Sequence, residues 1–160
     1  MTPNQARGEP GKAPRLTAGY GDETWRLALS ADTRALRAAS ALLDGYDASR
    51  ATAFAEAVEG RVDAALAVLR AGTDADWPFP AAAALDAARA RYLAGDDGGA
   101  LTELAGAARH GEQVDPGVAD VAAIAVARSP GLRLRALRLV LGHGTLRDRL
   151  RNGLRVARGS

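Results

Sequence analysis

Cysteine is absent from the 160 residues, which excludes disulfides and thiolate metal sites. Long apolar runs are absent as well, and none approaches the roughly 20 residues that a membrane-spanning helix needs. The opening stretch, MTPNQARGEPGKAPRLTAGYG, contains no apolar segment of the kind that a secretory signal requires. These absences predict a cytoplasmic protein without a membrane partner.

Aromatic residues make up only 4% of the chain, whereas alanine is abundant. A core of this composition has to be built from small side chains, which predicts helices that pack close together.

Residues suited to chemistry are few. His110 and His143 are the only histidines, and neither has a glutamate or a second histidine at metal-ligand spacing. Most acidic residues stand at predicted helix starts, where capping explains them, and no serine has the setting of a nucleophile elbow. We therefore expect no enzyme, no cofactor and no metal. A small enzyme would require a pocket in which polar groups converge.

Lysine occurs once, at Lys12, so nearly all of the positive charge comes from arginine. The charge is unevenly distributed, because residues 1–127 sum to −6 while residues 128–160, with nine arginines and one acidic residue, sum to +8. The sequence thus predicts an acidic body and a basic end, which would attract each other within one molecule or between two.

Helical periodicity runs through almost everything after residue 23, and no segment alternates long enough to predict a strand. Residues 1–21, rich in proline, glycine and polar residues, predict a disordered N-terminal tail. Residues 22–160 predict a single all-α domain. Its helices are expected near 24–44 (interrupted around 30–32), 48–59, 61–72, 80–94, 97–110, 116–128, 130–142 and 145–157.

Several of these helices have a recognisable start. Asp115-Pro116 and Ser129-Pro130 each place an N-cap acceptor before a proline at the first helical position. Thr145 is followed three residues later by Asp148, which resembles a capping box.

The stretch Gly95-Asp96-Asp97-Gly98-Gly99 has two interpretations. One is a loop that binds a metal or a phosphate, but the spaced oxygen ligands of a calcium loop and the lysine of a phosphate loop are missing. The other is a corner between two helices, in which Gly95 ends the first helix and Asp96 or Asp97 caps the second. We favour the corner.

The chain also contains an internal repeat. A shift of 35 residues lays EGRVDAALAVLRAG (59–72) over AGDDGGALTELAGA (94–107), so that Gly60 matches Gly95 and Leu69 matches Leu104. A weaker third copy, 36 residues later, places Gly131 and Val140 over the same two positions. A period in the mid-thirties with a glycine between helices is typical of stacked helical hairpins.

In this respect the chain resembles the tetratricopeptide repeat family, most closely over residues 84–111. The resemblance implies stacked antiparallel helical hairpins and a concave face, lined by first-helix side chains, that binds a peptide. Arg89 and Tyr92 would then contact the partner. The tryptophan and tyrosine of the family's first helix are missing, since Tyr92 lies one position late, so a generic helical bundle is the alternative fold.

The strongest functional signal is the predicted helix 145–157. Leu146, Leu150 and Leu154 follow i, i+4 and i+8 and form one apolar face, while arginines occupy the rest. Such a helix suits a phosphate backbone, an anionic membrane or an acidic protein groove, or it simply caps the fold with arginine on its solvated face. Including the preceding helix, the candidate partner-binding arginines are Arg133, Arg135, Arg138, Arg147, Arg151 and Arg155.

A second candidate anchor is the aromatic cluster Trp77-Pro78-Phe79-Pro80. Tryptophan is enriched at binding hot spots, but the favoured interpretation is a link between hairpins that packs over the core.

Together these patterns predict a non-enzymatic adaptor that binds another protein or a peptide, as an accessory of a larger regulatory or defence assembly. A nucleic-acid-binding accessory protein that uses the arginine-rich end is the second candidate, and the oligomeric state is left open.

Overall fold

The computed structural model describes residues 20–73, 80–110 and 116–159, and for residues 20–22 and 110 it describes the backbone alone. All regular elements in this part of the chain are helical, as the sequence predicts. A 3₁₀ turn, Pro130–Leu132, leads directly into the eighth α-helix. The described residues form nine α-helices. They are α1 (Tyr20–Leu29), α2 (Thr33–Leu42), α3 (Gly45–Val58), α4 (Val62–Thr73), α5 (Pro80–Leu93), α6 (Asp97–His110), α7 (Pro116–Arg128), α8 (Arg133–Leu141) and α9 (Leu146–Arg158).

The helices pack as consecutive antiparallel pairs that stack on one another. The first helices of successive pairs touch in the order α1, α3, α5 and α7. Each second helix also contacts the first helix of the next pair, and α9 packs against both α7 and α8. This arrangement buries each hairpin's apolar face against its neighbour, since one hairpin alone cannot bury it.

The spacing of the helices confirms the predicted repeat period. Helix α5 begins 35 residues after α3, and α6 begins 35 residues after α4. In the third copy, α7 and α8 begin 36 residues after α5 and α6. The pair α1–α2 is shorter and lies outside this period.

The turn between the two helices has the same backbone geometry in the first two copies of the repeat. Gly60 and Gly95 have φ of +81° and +89°, and each donates its N–H to the carbonyl three residues back. The next residue, Arg61 or Asp96, donates to the carbonyl five residues back at 2.9 Å. This pair of bonds is the Schellman motif, which needs a left-handed residue that glycine adopts without strain.

Small residues lie where the repeated helices meet. The matched alanines Ala53 and Ala88 are completely buried, and so are Ala65, Ala100 and Ala136 at the second repeated position. Larger apolar side chains fill the layer between the hairpins at matched positions, namely Leu66 with Leu101, and Leu69 with Leu104 and Val140.

Two apolar clusters form the core, and one tryptophan joins them. The first cluster is centred on Phe54 and the second on residues such as Leu101 and Val121. Trp25 of α1 packs against both clusters, with its ring 5.8 Å from that of Phe54 and 6.3 Å from that of Tyr92.

Most predicted helix ends agree with the structure. The predicted break near residues 30–32 separates α1 from α2, and the Thr145 hydroxyl caps α9 by accepting the N–H of Asp148 at 3.2 Å. One cap was predicted wrongly: the Ser129 side chain accepts no cap hydrogen bond, and its hydroxyl donates instead to the carboxylate of Asp97.

Some sequence predictions fall outside the described residues. These are the structure of residues 1–19, the placement of Trp77 and Phe79, and the cap at Asp115. Helix α1 begins at Tyr20, so it includes the last two residues of the predicted tail.

The turn glycines generate a test of backbone strain. Nothing lies within 4 Å of a Cβ built at Gly60 or Gly95, so replacement by alanine would add strain without a clash. We expect G60A and G95A each to lower the free energy of unfolding by about 1–2 kcal/mol, measured by urea denaturation. Conversely, Ala31 follows the end of α1 and has φ of +56°, so A31G should raise the free energy of unfolding by a similar amount.

Gly98 provides the matched control. It lies in the first turn of α6 with no positive φ and with open space around it, so G98A should stabilise the helix slightly. Equal effects of G95A and G98A would contradict the turn geometry.

Candidate functional site

The described residues contain no group of three or more metal-binding side chains. His143 lies in the glycine turn between α8 and α9, and its Nδ1 is 3.0 Å from the carbonyl oxygen of Leu139. This contact joins the imidazole to the last turn of α8.

The first aspartate of Gly95-Asp96-Asp97-Gly98-Gly99 is a helix cap. Its Oδ1 accepts the N–H of Gly99 at 2.8 Å, and its carbonyl accepts the N–H of Ala100 at 2.9 Å. Its carboxylate also pairs with Arg91 of the preceding helix at 2.9 Å. The corner interpretation, with one of the two aspartates as the cap, is confirmed at Asp96.

The second aspartate has a different role. Asp97 is buried, and its carboxylate accepts from Nε of Arg128 at 3.0 Å and from the hydroxyl of Ser129 at 2.6 Å. The guanidinium of Arg128 also donates to the carbonyl of Tyr92 and lies 4.0 Å from the centroid of its ring. Asp97 therefore fastens the α5–α6 hairpin to the end of α7, a link that sequence reasoning missed.

A buried ionic cluster joins α3 to α5. Asp86 accepts from the hydroxyl of Tyr46 at 3.0 Å and from Nη1 of Arg89 at 3.1 Å, and Nη1 of Arg50 lies 3.9 Å away. Burial raises the pKa of Asp86, and the two arginines oppose that rise. Burial also raises the pKa of Tyr46. The guanidinium of Arg89 lies 5.1 Å from the centroid of the Trp25 ring, so α1 covers this cluster.

Arg89 and Tyr92, the predicted contacts of a concave peptide site, are thus engaged within the chain. Trp25 lies against both side chains, and Arg128 covers the ring of Tyr92. Whether they also bind a partner stays a prediction.

Helix α9 has an unexpected orientation. Its buried residues are Asn152, Gly153 and Val156, whereas Leu146, Leu150 and Leu154 are 74%, 59% and 56% exposed. An apolar stripe of this spacing usually faces the core, but in α9 it does not. The apolar face of α9 is turned to solvent.

The neighbouring helix extends this exposed face. Leu134 and Leu141 are exposed and lie seven residues apart, on one side of α8. A Cβ at Gly153 would lie 2.9 Å from Cδ2 of Leu141, and Gly153 shares a side of α9 with Leu146 and Leu150 at i+7 and i+3. We call these five leucines the leucine surface: Leu134, Leu141, Leu146, Leu150 and Leu154.

The predicted arginines divide into two groups. Three have partners within the chain: Arg135 donates to the hydroxyl of Thr102, Arg151 pairs with Asp148, and Arg155 pairs with Asp120. The hydroxyl of Thr145, together with Arg151 and Arg147, holds the pKa of Asp148 below its usual range. The second group is exposed and makes no ion pair with any described residue: Arg133, Arg138, Arg147 and also Arg158.

Comparison with known proteins identifies no relative: no protein-family model matches the chain, and no curated protein or solved structure is significantly similar to it. None of the described helices is long and apolar enough to cross a membrane. What the chain does has to be inferred from its own residues.

The two adjacent aspartates generate a matched pair of substitutions. D97N removes a buried charge that Arg128 and Ser129 need, so we expect it to lower the free energy of unfolding by roughly 1–3 kcal/mol. Asparagine caps helices as well as aspartate does, so D96N keeps the cap and removes only the partly exposed ion pair with Arg91. It should therefore lower the free energy of unfolding by less than about 1 kcal/mol. Urea denaturation of both variants measures the difference, and a larger loss in D96N would contradict these roles.

Proposed function

We propose that this chain is a non-enzymatic protein-interaction module that binds a protein or peptide across the leucine surface. The observation that carries the proposal is the orientation of α9, which packs through Asn152, Gly153 and Val156 and leaves its leucines in solvent. Single exposed leucines are ordinary in soluble proteins, but a continuous apolar face marks an interaction site.

The energy available at this surface supports docking. Covering a leucine completely contributes about 1.5–3 kcal/mol, so even partial burial of three leucines in one row favours association. The helix is also held in place without a partner. Thr145 caps its start, Gly159 ends it with φ of +69°, and Arg155 ties it to Asp120 of α7. A rigid platform of this kind loses little entropy on binding.

The polar residues of the described chain favour a scaffold over an enzyme. Asp32, Asp96 and Thr145 cap helices, while Asp86 and Asp97 hold hairpins together. These side chains are occupied by interactions within the fold. We therefore propose that no catalytic group operates here.

A tetratricopeptide-like repeat is the finer fold that we propose. It is supported by the 35- and 36-residue spacing of the helices and by the matched turns at Gly60 and Gly95. In that family's manner the chain would serve as an adaptor in a larger regulatory or defence assembly. Because Trp25 already covers Arg89 and Tyr92, we assign partner binding to the leucine surface instead.

Substituting the leucine row tests the proposal. L146Q/L150Q/L154Q replaces exposed side chains by one of similar helix propensity, so the fold should persist while partner capture falls at least tenfold. The measurement is affinity capture with chemical crosslinking from the source cells, quantified by mass spectrometry, with circular dichroism to check the helices.

The matched control is L42Q, which changes a leucine that is 86% exposed on α2. L42Q should leave capture unchanged. A set of captured proteins that is identical for the triple variant and for L42Q would remove the leucine surface from the function.

Nucleic-acid binding is the alternative function. It is favoured by three exposed arginines that make no ion pair with a described residue, Arg133, Arg138 and Arg147. Under our proposal we expect only non-specific binding of duplex DNA, with dissociation constants of roughly 10⁻⁴–10⁻⁶ M near physiological salt. Fluorescence anisotropy over a salt series measures this. Tighter binding, with a log–log slope near −0.9 for every phosphate neutralised, would favour the alternative.

A further inference from the structure

The leucine surface has a shape that favours a helical occupant. Leu146, Leu150 and Leu154 repeat every four residues, so the row runs about 12 Å along the axis of α9. Ridges formed by side chains four apart fit the grooves of another helix, whose side chains have the same spacing. Leu141 of α8 forms a second wall beside the row.

Positive charge borders the leucine surface on both sides. On α9, Arg147, Arg151, Leu154 and Arg158 follow i, i+4, i+7 and i+11, so an arginine row runs directly beside the leucines. On α8, Arg138 lies between Leu134 and Leu141 on one face, at i+4 and i−3. Of these four arginines, only Arg151 makes an ion pair with a described residue, Asp148.

We infer that the occupant is an acidic amphipathic helix of another protein, with leucine-like residues facing α9 and acidic residues on both flanks. This inference rests on the proposed function and names the chemistry of the partner. Flanking charges of opposite sign select the partner and speed the encounter, as the charged positions beside a coiled-coil seam do.

Charge disfavours two occupants that the chain itself could supply, a second copy of the same surface and residues 1–19. A second copy placed on the same surface by two-fold symmetry would bring the arginine rows together, with Asp148 as the only acidic residue of α9. Residues 1–19 carry Arg7, Lys12 and Arg15 against Glu9, so their net charge is also positive. Like charges at an interface are a barrier to association.

The test uses the full chain and a displayed library of 18-residue helical peptides. Every peptide has a fixed leucine stripe, and its flanking positions are randomised among Glu, Gln and Lys. Peptides retained by the protein are sequenced before and after selection. We expect Glu to be enriched about two- to five-fold at each flanking position, and less at 0.5 M salt.

Variants of the protein separate the inference from the function on which it rests. R138Q/R147Q/R158Q should retain peptides without the preference for Glu, whereas L146Q/L150Q/L154Q should retain none. The charge-matched control is R34Q/R70Q/R109Q, because these three arginines are exposed and make no ion pair with a described residue. The control should select the same acidic peptides as the natural sequence does.

Each other outcome overturns a stated claim. Retention without enrichment of Glu, or with enrichment of Lys, would overturn the acidic partner and leave the interaction module intact. No retention above that of the leucine variant would overturn both claims. Leucine-dependent sedimentation with vesicles of phosphatidylglycerol and phosphatidylcholine would identify a bilayer, in place of a protein helix, as the occupant.

Discussion

Close contact between helices through alanine is the constraint on which the rest of the structure depends. The matched alanines Ala53, Ala65, Ala88 and Ala100 are completely buried, and their size lets neighbouring helix backbones approach to roughly 8 Å. Such a core leaves little room for large side chains. The few that are present join several elements, as Trp25 does by packing against both apolar clusters. The same need for small side chains at helix contacts explains why the leucines of α9 are exposed.

Helix α9 packs against α7 and α8 through a small residue, as the alanine-containing helices do. Gly153 lets it approach so closely that an added Cβ would lie 2.9 Å from Leu141, and the neighbouring Asn152 and Val156 are completely or almost completely buried. The leucine stripe is bulkier, and it lies outside this contact. A hydrophobic pattern reports which face is most apolar, whereas packing in an alanine-rich stack also selects for small size. Amphipathicity alone therefore does not identify the face of α9 that packs against the fold.

Local features of the fold and the stacking of its helix pairs were therefore predictable, whereas the contacts between side chains far apart in the chain were not. The glycine turns at Gly60 and Gly95 and the cap at Thr145 depend on a few neighbouring residues, so their sequence patterns suffice. The link from Asp97 to Arg128 joins residues 31 apart, and Tyr46 reaches Asp86 across 40. Only the folded stack brings these partners together. The sequence did indicate that Asp97 has a further role, because a helix cap needs one aspartate and the turn contains two.

The distribution of acidic residues explains why several arginines of α8 and α9 make no ion pair with a described residue. In the body, Arg37 and Arg61 share Glu56 and Glu59, and Arg91 pairs with Glu103. The basic end has a single acidic residue, Asp148, which pairs with Arg151. Arg155 takes its partner from α7, and Arg133, Arg138, Arg147 and Arg158 make no ion pair in the described part of the chain. Mutual repulsion among these exposed arginines opposes folding slightly, and a negative surface that covers them relieves this repulsion. Exposed leucines and arginines without acidic neighbours thus lie on one surface. A single partner with apolar and acidic residues would bury the leucines and neutralise the arginines.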